Sequence, residues 1–353
     1  MAVAGAGAFG RNHLRVYHEL AAAGVAVALT AAIEPDAARA RDTEQKYGIP
    51  VFASLDAMLS ARLRVDAASV AVPTVHHHAV ASAMLDAGID VLVEKPIAAT
   101  LAEADDLLAL AQKKGRILQP GHLERFNPAV LAVQPRLRRP MFFEAHRLSI
   151  FTPRALDVDV VLDLMIHDLD IVLTFANSPV REVRAVGLPI LSPRVDIANV
   201  RVEFESGCVA NFTASRVSTE RVRKLRFFEP RQYVSIDYAR RDLLVIRLDD
   251  KIPAEIAAAV ASGKIDPAML EQLKAASAAG PAPGLNFVKA AVPEGEPLRL
   301  EIESFLDAVR TRREPRVTAR QGRNALALAL EIQETMVAHA ERAGLKDFFL
   351  SGA

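Results

Sequence analysis

The sequence has one cysteine, no tryptophan and no net charge. A lone Cys208 cannot form a disulfide within the chain, so we expect a reducing compartment, the cytoplasm. The 43 basic residues equal the 43 acidic ones, which argues against a nucleic-acid or membrane-surface role driven by bulk charge. No apolar run reaches the roughly 20 residues that cross a bilayer, and no basic segment precedes an apolar core at the N-terminus. Neither a membrane span nor a signal peptide is therefore expected.

Hydrophobic residues make up 51% of the 353, which predicts a folded α/β protein with two domains. Residues 1–121 alternate buried strands with helices, the pattern of a doubly wound parallel sheet of the Rossmann type. Residues 122–353 carry strands that alternate apolar and polar, so we expect an α+β domain with an open-faced, mostly antiparallel sheet. Residues 250–296, rich in Ala, Pro and Gly, are interpreted as an insertion outside that sheet. The final helix, 321–342, is expected to pack back on the first domain.

A glycine motif, Gly5-x-Gly7-x-x-Gly10, joins the first strand to the first helix. This context is typical of a dinucleotide site, where the glycines permit a tight turn and the helix N-terminus faces the pyrophosphate. Glu34 ends the second strand, 24 residues after Gly10, and could accept the ribose hydroxyls. A carboxylate there would repel a 2′-phosphate, which favours NAD over NADP. The alternatives are ordinary turn glycines and a helix-capping role for Glu34 before Pro35.

The stretch from Val91 to Ile97 reads as a strand buried on both faces that stops at Glu94-Lys95-Pro96. Lys95 is then presented at the carboxyl end of a parallel strand, where open α/β sheets bind ligands. A lysine there can act in proton chemistry or polarise a substrate oxygen. The alternative is an exposed loop lysine with no such role.

A second set of polar residues lies on a predicted helix, 157–176. Asp163, His167 and Asp170 are spaced i, i+4 and i+7, which places them on one face of an otherwise apolar helix. Burying such a face needs partners or a purpose; the alternative is a structural histidine beside solvated acids. The run from His76 to His78 is not interpreted as a metal site, because three consecutive side chains cannot all face one ion and no further ligand lies nearby.

Four motifs of this sequence, in their order and spacing, resemble those of the Gfo/Idh/MocA oxidoreductases. They are Gly5-x-Gly7-x-x-Gly10, Pro73 with His77, Glu94-Lys95-Pro96 and Asp163-x-x-x-His167-Asp168. The resemblance implies NAD as cofactor and a sugar or polyol substrate between the domains, with Lys95, Asp163 and His167 in the site. It also implies oligomerisation through the open sheet, as a homodimer or homotetramer. The cofactor contacts that it implies are Gly5, Gly7, Phe9, Gly10, Glu34, Pro73, Thr74, His77, Glu94, Lys95, Pro96 and His122.

Two further segments, 121–128 and 210–216, resemble family members that oxidise UDP-N-acetylglucosamine at C3. In that subgroup an aminotransferase takes up the ketone, giving 2,3-diamino sugars for lipid A or other surface glycans. The substrate contacts expected beside Lys95, Asp163 and His167 are Glu124, Arg125, Phe126, Asn127 and Arg216. Arginines 216, 221 and 223, with Lys224, would suit a pyrophosphate, because arginine binds phosphate oxygens in a bidentate manner. The alternative is that these are polar positions on the exposed sheet face.

His167 is the expected general base for oxidation of an alcohol, since its ordinary pKa is near ~6.5. Lys95 would then hydrogen-bond the same oxygen, and Asp163 would orient the hydroxyl or the histidine; Lys95 as base remains an alternative. Other functions stay open: another sugar or inositol dehydrogenase of the family, or a dinucleotide-binding regulator without catalysis. The presence of both Lys95 and His167 argues against a pure regulator.

Overall fold

The computed structural model describes residues 1–152, 158–248 and 285–345, and two sheets organise them. The first sheet is entirely parallel and confirms the predicted doubly wound topology, with strand order β3-β2-β1-β4-β5-β6. Chain order reverses between β1 and β4, which opens a crevice at the carboxyl edge of the sheet. The strands are β1 (Ala2–Ala4), β2 (Ala31–Ile33), β3 (Val51–Phe52), β4 (Ala67–Val70), β5 (Asp90–Glu94) and β6 (Leu118–Gly121).

Five helices connect these strands. α5 shows how the sequence sets their limits: the Thr100 hydroxyl and the Glu103 carboxylate cap its N-terminus reciprocally, and Gly115 ends it in the left-handed conformation. Its buried residues, among them Leu107, face the parallel strands. The helices are α1 (Gly10–Ala22), α2 (Ala37–Tyr47), α3 (Leu55–Ser60), α4 (His77–Asp86) and α5 (Leu101–Lys114).

The second sheet has eight strands in the order β14-β13-β12-β11-β7-β10-β9-β8, and every neighbouring pair except β7 and β10 is antiparallel. The predicted mostly antiparallel sheet is therefore confirmed. Alternate residues of the central strands, such as Phe143 and Ala145 of β7, face a core that also contains helix α7. The strands are β7 (Phe142–Leu148), β8 (Val180–Leu188), β9 (Ile197–Phe204), β10 (Val209–Ser215), β11 (Val222–Glu229), β12 (Gln232–Asp237), β13 (Asp242–Leu248) and β14 (Leu285–Lys289); α7 is Ile166–Ala176.

Two predictions in this half were wrong. Residues 285–289, assigned to the insertion, form β14 and pair with β13 as the edge of the sheet. The part of the predicted insertion from 250 to 284 lies outside the described residues. The sequence pattern also predicts one helix from about Glu124 to Leu137. The structure instead has a 3-10 turn (Leu123–Phe126), α6 (Pro128–Val133) and a second 3-10 turn (Gln134–Arg136). Pro128 disfavours helical backbone at the residue before it, and Asn127 is extended and caps α6 instead.

The last two helices connect the two sheets. α8 (Pro297–Thr311) packs on α1, with Ile302 and Phe305 in the same apolar core as Leu14. α9 (Ala319–Arg342) contacts α5 and β6 of the first sheet and also α7 and β8 of the second half. Leu326 of α9 belongs to the core under the parallel sheet, and Ala329 belongs to the core of the second. This packing fixes the carboxyl edge of the parallel sheet against α7.

Candidate active site at the junction of the two sheets

The glycine loop after β1 has the shape that a dinucleotide requires. A Cβ at Gly10, the first residue of α1, would lie 1.9 Å from the carbonyl oxygen of Gly5, so the helix can approach the strand only with glycine here. A Cβ at Gly7 would meet no atom within 4 Å, which leaves open space above the loop. The N-terminus of α1 begins beside this space, where backbone N–H groups favour a phosphate. Phe9, before the helix, is 37% exposed. The loop therefore fits NAD.

Glu34 follows β2 and connects the glycine loop to α2. Its Oε2 accepts a hydrogen bond of 2.8 Å from the Ala6 N–H, and its Oε1 accepts from the Asp36 N–H (3.0 Å) and from Arg39 (2.9 Å). Burial opposes its ionisation, but the hydrogen bonds from Arg39, Asp36 and Ala6 together hold the pKa of Glu34 below its ordinary value. An ionised carboxylate thus lies at the end of β2, the position of a ribose-binding acid. Sequence reasoning missed its partner Arg39.

His77 holds the turns after β4 and β5 together. Its ring nitrogens lie 2.8 Å from the carbonyl oxygen of Pro96 and 2.9 Å from that of Val72. His77 is buried, so it acts on the site through these backbone contacts, whereas Pro73 is exposed at the rim and Thr74 is half-buried. The Lys95–Pro96 peptide bond is cis. The two loops expected to contact the cofactor therefore form one connected edge.

Lys95 extends from the end of β5 to the start of the helical segment in the other half of the chain. Its Nζ donates a hydrogen bond of 2.7 Å to the carbonyl oxygen of Asp163 and lies 3.8 Å from Asp163 Oδ1. Residues Val161–Met165 form a π-helical turn before α7, a widened geometry that recurs at functional sites. Burial lowers the pKa of Lys95, while Asp163 and Glu94 oppose that shift.

His167 lies in the first turn of α7, close enough to Lys95 for their charges to interact. Its Nδ1 is buried and has no hydrogen-bond partner within the described part of the chain. Burial, followed by the positive charges of Lys95 and Arg147, lowers the pKa of His167 well below its ordinary value. The imidazole is therefore neutral at pH 7 and able to accept a proton.

The predicted polar face of this helix is divided in the structure. Asp163 is 31% exposed and faces Lys95, whereas Asp170 is buried on the side of the 3-10 turn. There Asp170 Oδ1 lies 3.4 Å from Arg125 Nη1, and its Oδ2 lies 3.9 Å from Nδ1 of the buried His122. The π-helical turn between Asp163 and α7 changes the angular spacing that a regular helix would give. Of the three residues predicted to share one face, Asp163 and His167 lie at the junction and Asp170 does not.

Behind α7 lies a buried ionic network that sequence reasoning missed. Arg147 of β7 donates to both carboxylate oxygens of Asp168 (2.7 and 3.1 Å) and to Glu124 Oε1 (3.1 Å). Asn127 Nδ2 donates to Glu124 Oε2 at 3.1 Å, and Phe126 is 2% exposed. The structure thus places Glu124 to Asn127, predicted as substrate contacts, within the protein interior. The available signal was the alternation of β7, which places Arg147 on the same inward face as Phe143 and Ala145.

The arginines expected to bind a pyrophosphate differ in their surroundings. Arg216 is only 4% exposed, and its Nε lies 3.5 Å from the buried carboxylate of Asp196. Arg221 and Arg223 are exposed. The charge of Arg223 contributes to lowering the pKa of His167, so Arg223 lies on the cleft side of β11. Exposure and position therefore favour Arg223 over Arg216 as an anion contact.

No group of three side chains able to hold a metal ion occurs among residues 1–152, 158–248 and 285–345. The consecutive histidines have separate partners: His77 lies between two carbonyl oxygens, and His78 Nε2 lies 2.7 Å from Asp106 Oδ2. In the same described ranges, no helix has the length and apolar character needed to cross a membrane.

A dinucleotide loop, an ionised acid after β2, and a lysine and neutral histidine at the carboxyl edge of the same sheet define an NAD-dependent oxidoreductase. Comparison with known proteins gives the family. Residues 1–122 match the model of the oxidoreductase family with an NAD-binding Rossmann fold, and residues 129–231 match the GFO/IDH/MocA C-terminal domain. The chain belongs to the Gfo/Idh/MocA oxidoreductase family.

Full-length relatives agree with this assignment. The chain is 32% identical, over 96% of its length and 98% of the relative's, to UDP-N-acetylglucosamine 3-dehydrogenase from Acidithiobacillus ferrooxidans. The solved structure of that enzyme, GnnA, superposes with a TM-score of 0.80, at 31% identity and with 96% and 97% of the two chains covered. The WlbA dehydrogenase from Chromobacterium violaceum, solved with NADH and UDP-GlcNAcA, shares the fold with a TM-score of 0.73, 18% identity and coverage of 96% and 93%.

Proposed function

We propose that the protein oxidises the C3 hydroxyl of UDP-N-acetylglucosamine to the 3-keto sugar with NAD. The observation that carries the proposal is the convergence of Lys95, Asp163 and His167 at the junction of the sheets, with exposed Arg223 on the cleft side of β11. Support also comes from the full-length similarity to an enzyme named for this reaction. In this proposal residues 1–121 bind the cofactor, and residues 122–353 supply the substrate contacts and the second sheet.

The chemistry needs one proton acceptor and one group that stabilises charge on oxygen. The glycine loop and Glu34 would hold NAD, which would supply the acceptor for the hydride that leaves the alcohol carbon. Neutral His167 takes the hydroxyl proton as general base. Lys95 holds one N–H on the Asp163 carbonyl, which leaves its other donors for the substrate oxygen and lowers the energy of its developing negative charge. Asp163, half-exposed beside Lys95, orients the hydroxyl.

Arg223 is the proposed contact for the substrate pyrophosphate. Its exposed guanidinium can bind phosphate oxygens without breaking an internal ion pair, unlike Arg216 with Asp196. We expect Arg223→Ala to raise KM for the UDP-sugar by ~10-fold or more, the loss of about 1.4 kcal/mol of binding. Arg221→Ala, which removes an exposed arginine two residues away, is the matched control. Equal effects of the two substitutions would remove Arg223 from the pyrophosphate site.

The proposal is tested by removing the nucleotide from the substrate. The enzyme should oxidise UDP-N-acetylglucosamine with NAD. With free N-acetylglucosamine or myo-inositol, kcat should be lower and KM higher than with the UDP-sugar. The reason is that binding energy from a remote phosphate group orients the sugar for reaction. Efficient oxidation of a free polyol with no turnover of the UDP-sugar would instead assign the protein to another sugar or inositol dehydrogenase.

The outward face of the second sheet supports self-association. Adjacent strands align one row of apolar side chains across this face, and Phe142 stacks on Phe228 with ring centroids 5.5 Å apart. Phe228 and Phe287 are 37% and 51% exposed, an exposure typical of an interaction surface. We propose that a second copy covers this aromatic row, giving a homodimer or homotetramer. The row consists of Val209, Phe142, Phe228, Tyr233, Ile246 and Phe287.

Light scattering tests this arrangement. Phe228→Glu should shift the protein to a smaller species, because a charge in a buried interface is unpaired. Val337→Glu, which adds a charge at an apolar residue of α9 that is 53% exposed, should leave the mass unchanged. A monomeric wild-type protein would overturn the proposal.

The reaction also implies a partner step. A 3-keto sugar beside an N-acetyl group is a reactive ketone, so we propose an aminotransferase as the next enzyme, giving a 2,3-diamino sugar for lipid A or another surface glycan. We place both enzymes in the cytoplasm, in accord with the single buried thiol, Cys208. Conversion of the oxidised product by a sugar aminotransferase with glutamate, identified by mass, checks this step.

A further inference from the structure

A buried carboxyl group lies beneath the proposed active site and has no role in the mechanism above. Glu301 of α8 is 0% exposed, and neither carboxyl oxygen has a hydrogen-bond partner within the described residues. An ionised carboxylate in that position would be very unfavourable. Gln119 of β6 lies beside it, with its amide nitrogen 3.5 Å from the Glu301 carbonyl oxygen and its own Oε1 also buried and unpartnered in the same ranges.

Glu94, directly before Lys95, is a second buried carboxyl group, and its charge acts on Glu301. A Cβ at Gly121 would lie 2.9 Å from Glu94 Oε1, so glycine at this position provides the space in which the Glu94 carboxyl lies. His13 Nε2 lies 2.9 Å from the same oxygen, and His13 Nδ1 lies 3.1 Å from Ser69 Oγ. Ser69 Oγ in turn lies 2.8 Å from the Tyr17 hydroxyl.

With His13 neutral and Glu94 ionised, only one set of donor directions is compatible with this series of hydrogen bonds. The Tyr17 hydroxyl donates to Ser69, Ser69 donates to His13 Nδ1, and the Nε2–H of His13 donates to Glu94. Every donor then points toward Glu94, which stabilises its negative charge. Asp170, whose charge also acts on Glu301, is paired with Arg125. Glu301 is thus the carboxyl group that has no donor of its own.

We propose that Glu301 carries a proton at neutral pH and acts as a positioning residue, because its neutrality lets Glu94 keep a negative charge beside Lys95. If the proton moved to Glu94, the charge that supports the Lys95 ammonium would be lost. Burial, followed by the charges of Glu94 and Asp170, raises the pKa of Glu301 well above its ordinary value, in agreement with the geometry. The groups whose charges interact with Glu301 are Tyr17 on α1, Glu94 on β5 and Asp170 on α7. His13 on α1 lies against Glu94, and His122 and Arg125 at the 3-10 turn lie against Asp170.

Infrared spectroscopy tests the proton directly and needs no substrate. The wild-type protein at neutral pH should show the carbonyl stretch of a neutral carboxylic acid, and Glu301→Gln should lack it. Glu303→Gln, on the same helix but with a half-exposed carboxylate paired to Arg299, is the control and should retain the band. If the glutamine variant does not fold, a pH titration of the wild-type protein labelled with 13C-glutamate gives the same information. Absence of the band, or its loss in Glu94→Gln in place of Glu301→Gln, would overturn the inference.

Kinetics test the consequence for Lys95, and this arm rests on the proposed dehydrogenase function. In the pH profile of kcat, Glu94→Gln should move the inflection of Lys95 to lower pH, because the lysine loses a neighbouring negative charge. Glu301→Gln replaces one neutral group with another, so the inflection should stay in place. A shift in Glu301→Gln as large as in Glu94→Gln would mean that Glu301 is charged. Failure of the proposed function would abolish turnover in all variants and leave the infrared result unaffected.

Discussion

The ammonium group of Lys95 donates a hydrogen bond of 2.7 Å to the backbone carbonyl oxygen of Asp163. The two residues are 68 positions apart in the chain. Lys95 follows a strand of the first sheet, whereas Asp163 lies in the half of the chain that contains the second sheet. The contact joins the end of β5 to the π-helical turn before α7, the place where the proposed function puts the substrate oxygen.

Catalysis should need both Lys95 and His167. We expect Lys95→Ala and His167→Ala each to lower kcat by ~100-fold or more, as is typical of groups that manage a proton or an oxyanion. Both variants should remain folded and still bind NAD in calorimetry. His18→Ala, at an exposed position of α1, is the matched control. Near-normal turnover in either site variant would remove that residue from the mechanism.

The acid limb of the kcat profile should lie below pH ~6.5, the ordinary pKa of histidine. His167 must be neutral to act as a general base. Burial and nearby positive charges lower its pKa, so it stays neutral to lower pH. Activity is then complete above the ordinary value and falls only as pH drops through the lowered pKa. Stopped-flow measurement of NADH formation checks this limb. An acid limb above the ordinary histidine pKa would count against His167 as the base.

NAD should bind at least tenfold more tightly than NADP, a difference of about 1.4 kcal/mol or more. Glu34 is held ionised after β2 and would repel a 2′-phosphate. Glu34→Gln should reduce the preference for NAD over NADP, since the glutamine side chain has the size of glutamate but no charge. Arg39 pairs with Glu34 and is about half-exposed, so Arg39→Ala should widen it. Equal affinities of the wild-type protein for the two cofactors would refute the role given to Glu34.

The Arg147 network should support the fold more than the exposed ion pairs do. Asp168→Asn removes one partner of a buried, multiply bonded arginine and should cost about 3 kcal/mol of unfolding free energy. Glu182→Gln breaks an ion pair whose arginine, Arg184, is 76% exposed, and should cost about 0.5 kcal/mol or less. Denaturant unfolding of both variants gives the comparison. A loss in Asp168→Asn no greater than in Glu182→Gln would contradict the structural role.

The sequence predicted the features that depend on local pattern. The glycine loop, the buried strand ending at Lys95 and the alternating strands all carry their signals within a few residues, and the fold class was confirmed. The packing of α8 on α1 was not predictable in this way, because an amphipathic helix does not record which apolar surface it covers. Neither was the separation of Asp163 from Asp170, since the π-helical turn alters the regular spacing from which their common face was inferred.

The sequence pattern also did not predict which polar groups are buried. Glu124 and Asn127 lie in a stretch that resembles substrate-binding segments, yet their partners are Arg147 and the Tyr238 carbonyl, distant in the chain. Glu301 falls within an ordinary helical sequence, and only the tertiary structure shows that it is enclosed. Such groups are fixed by three-dimensional contacts, which a single sequence does not specify.

The most direct measurement is turnover of UDP-N-acetylglucosamine with NAD in the presence of a ketone trap. Oxidation beside an N-acetyl group can be unfavourable at equilibrium, so a sugar aminotransferase with glutamate should remove the product, and mass spectrometry should identify it. The account predicts NADH formation and a UDP-linked 2,3-diamino sugar, both lost in His167→Ala. Absence of turnover of the UDP-sugar in the trapped assay, with rapid oxidation of a free sugar or polyol, would contradict the proposed function.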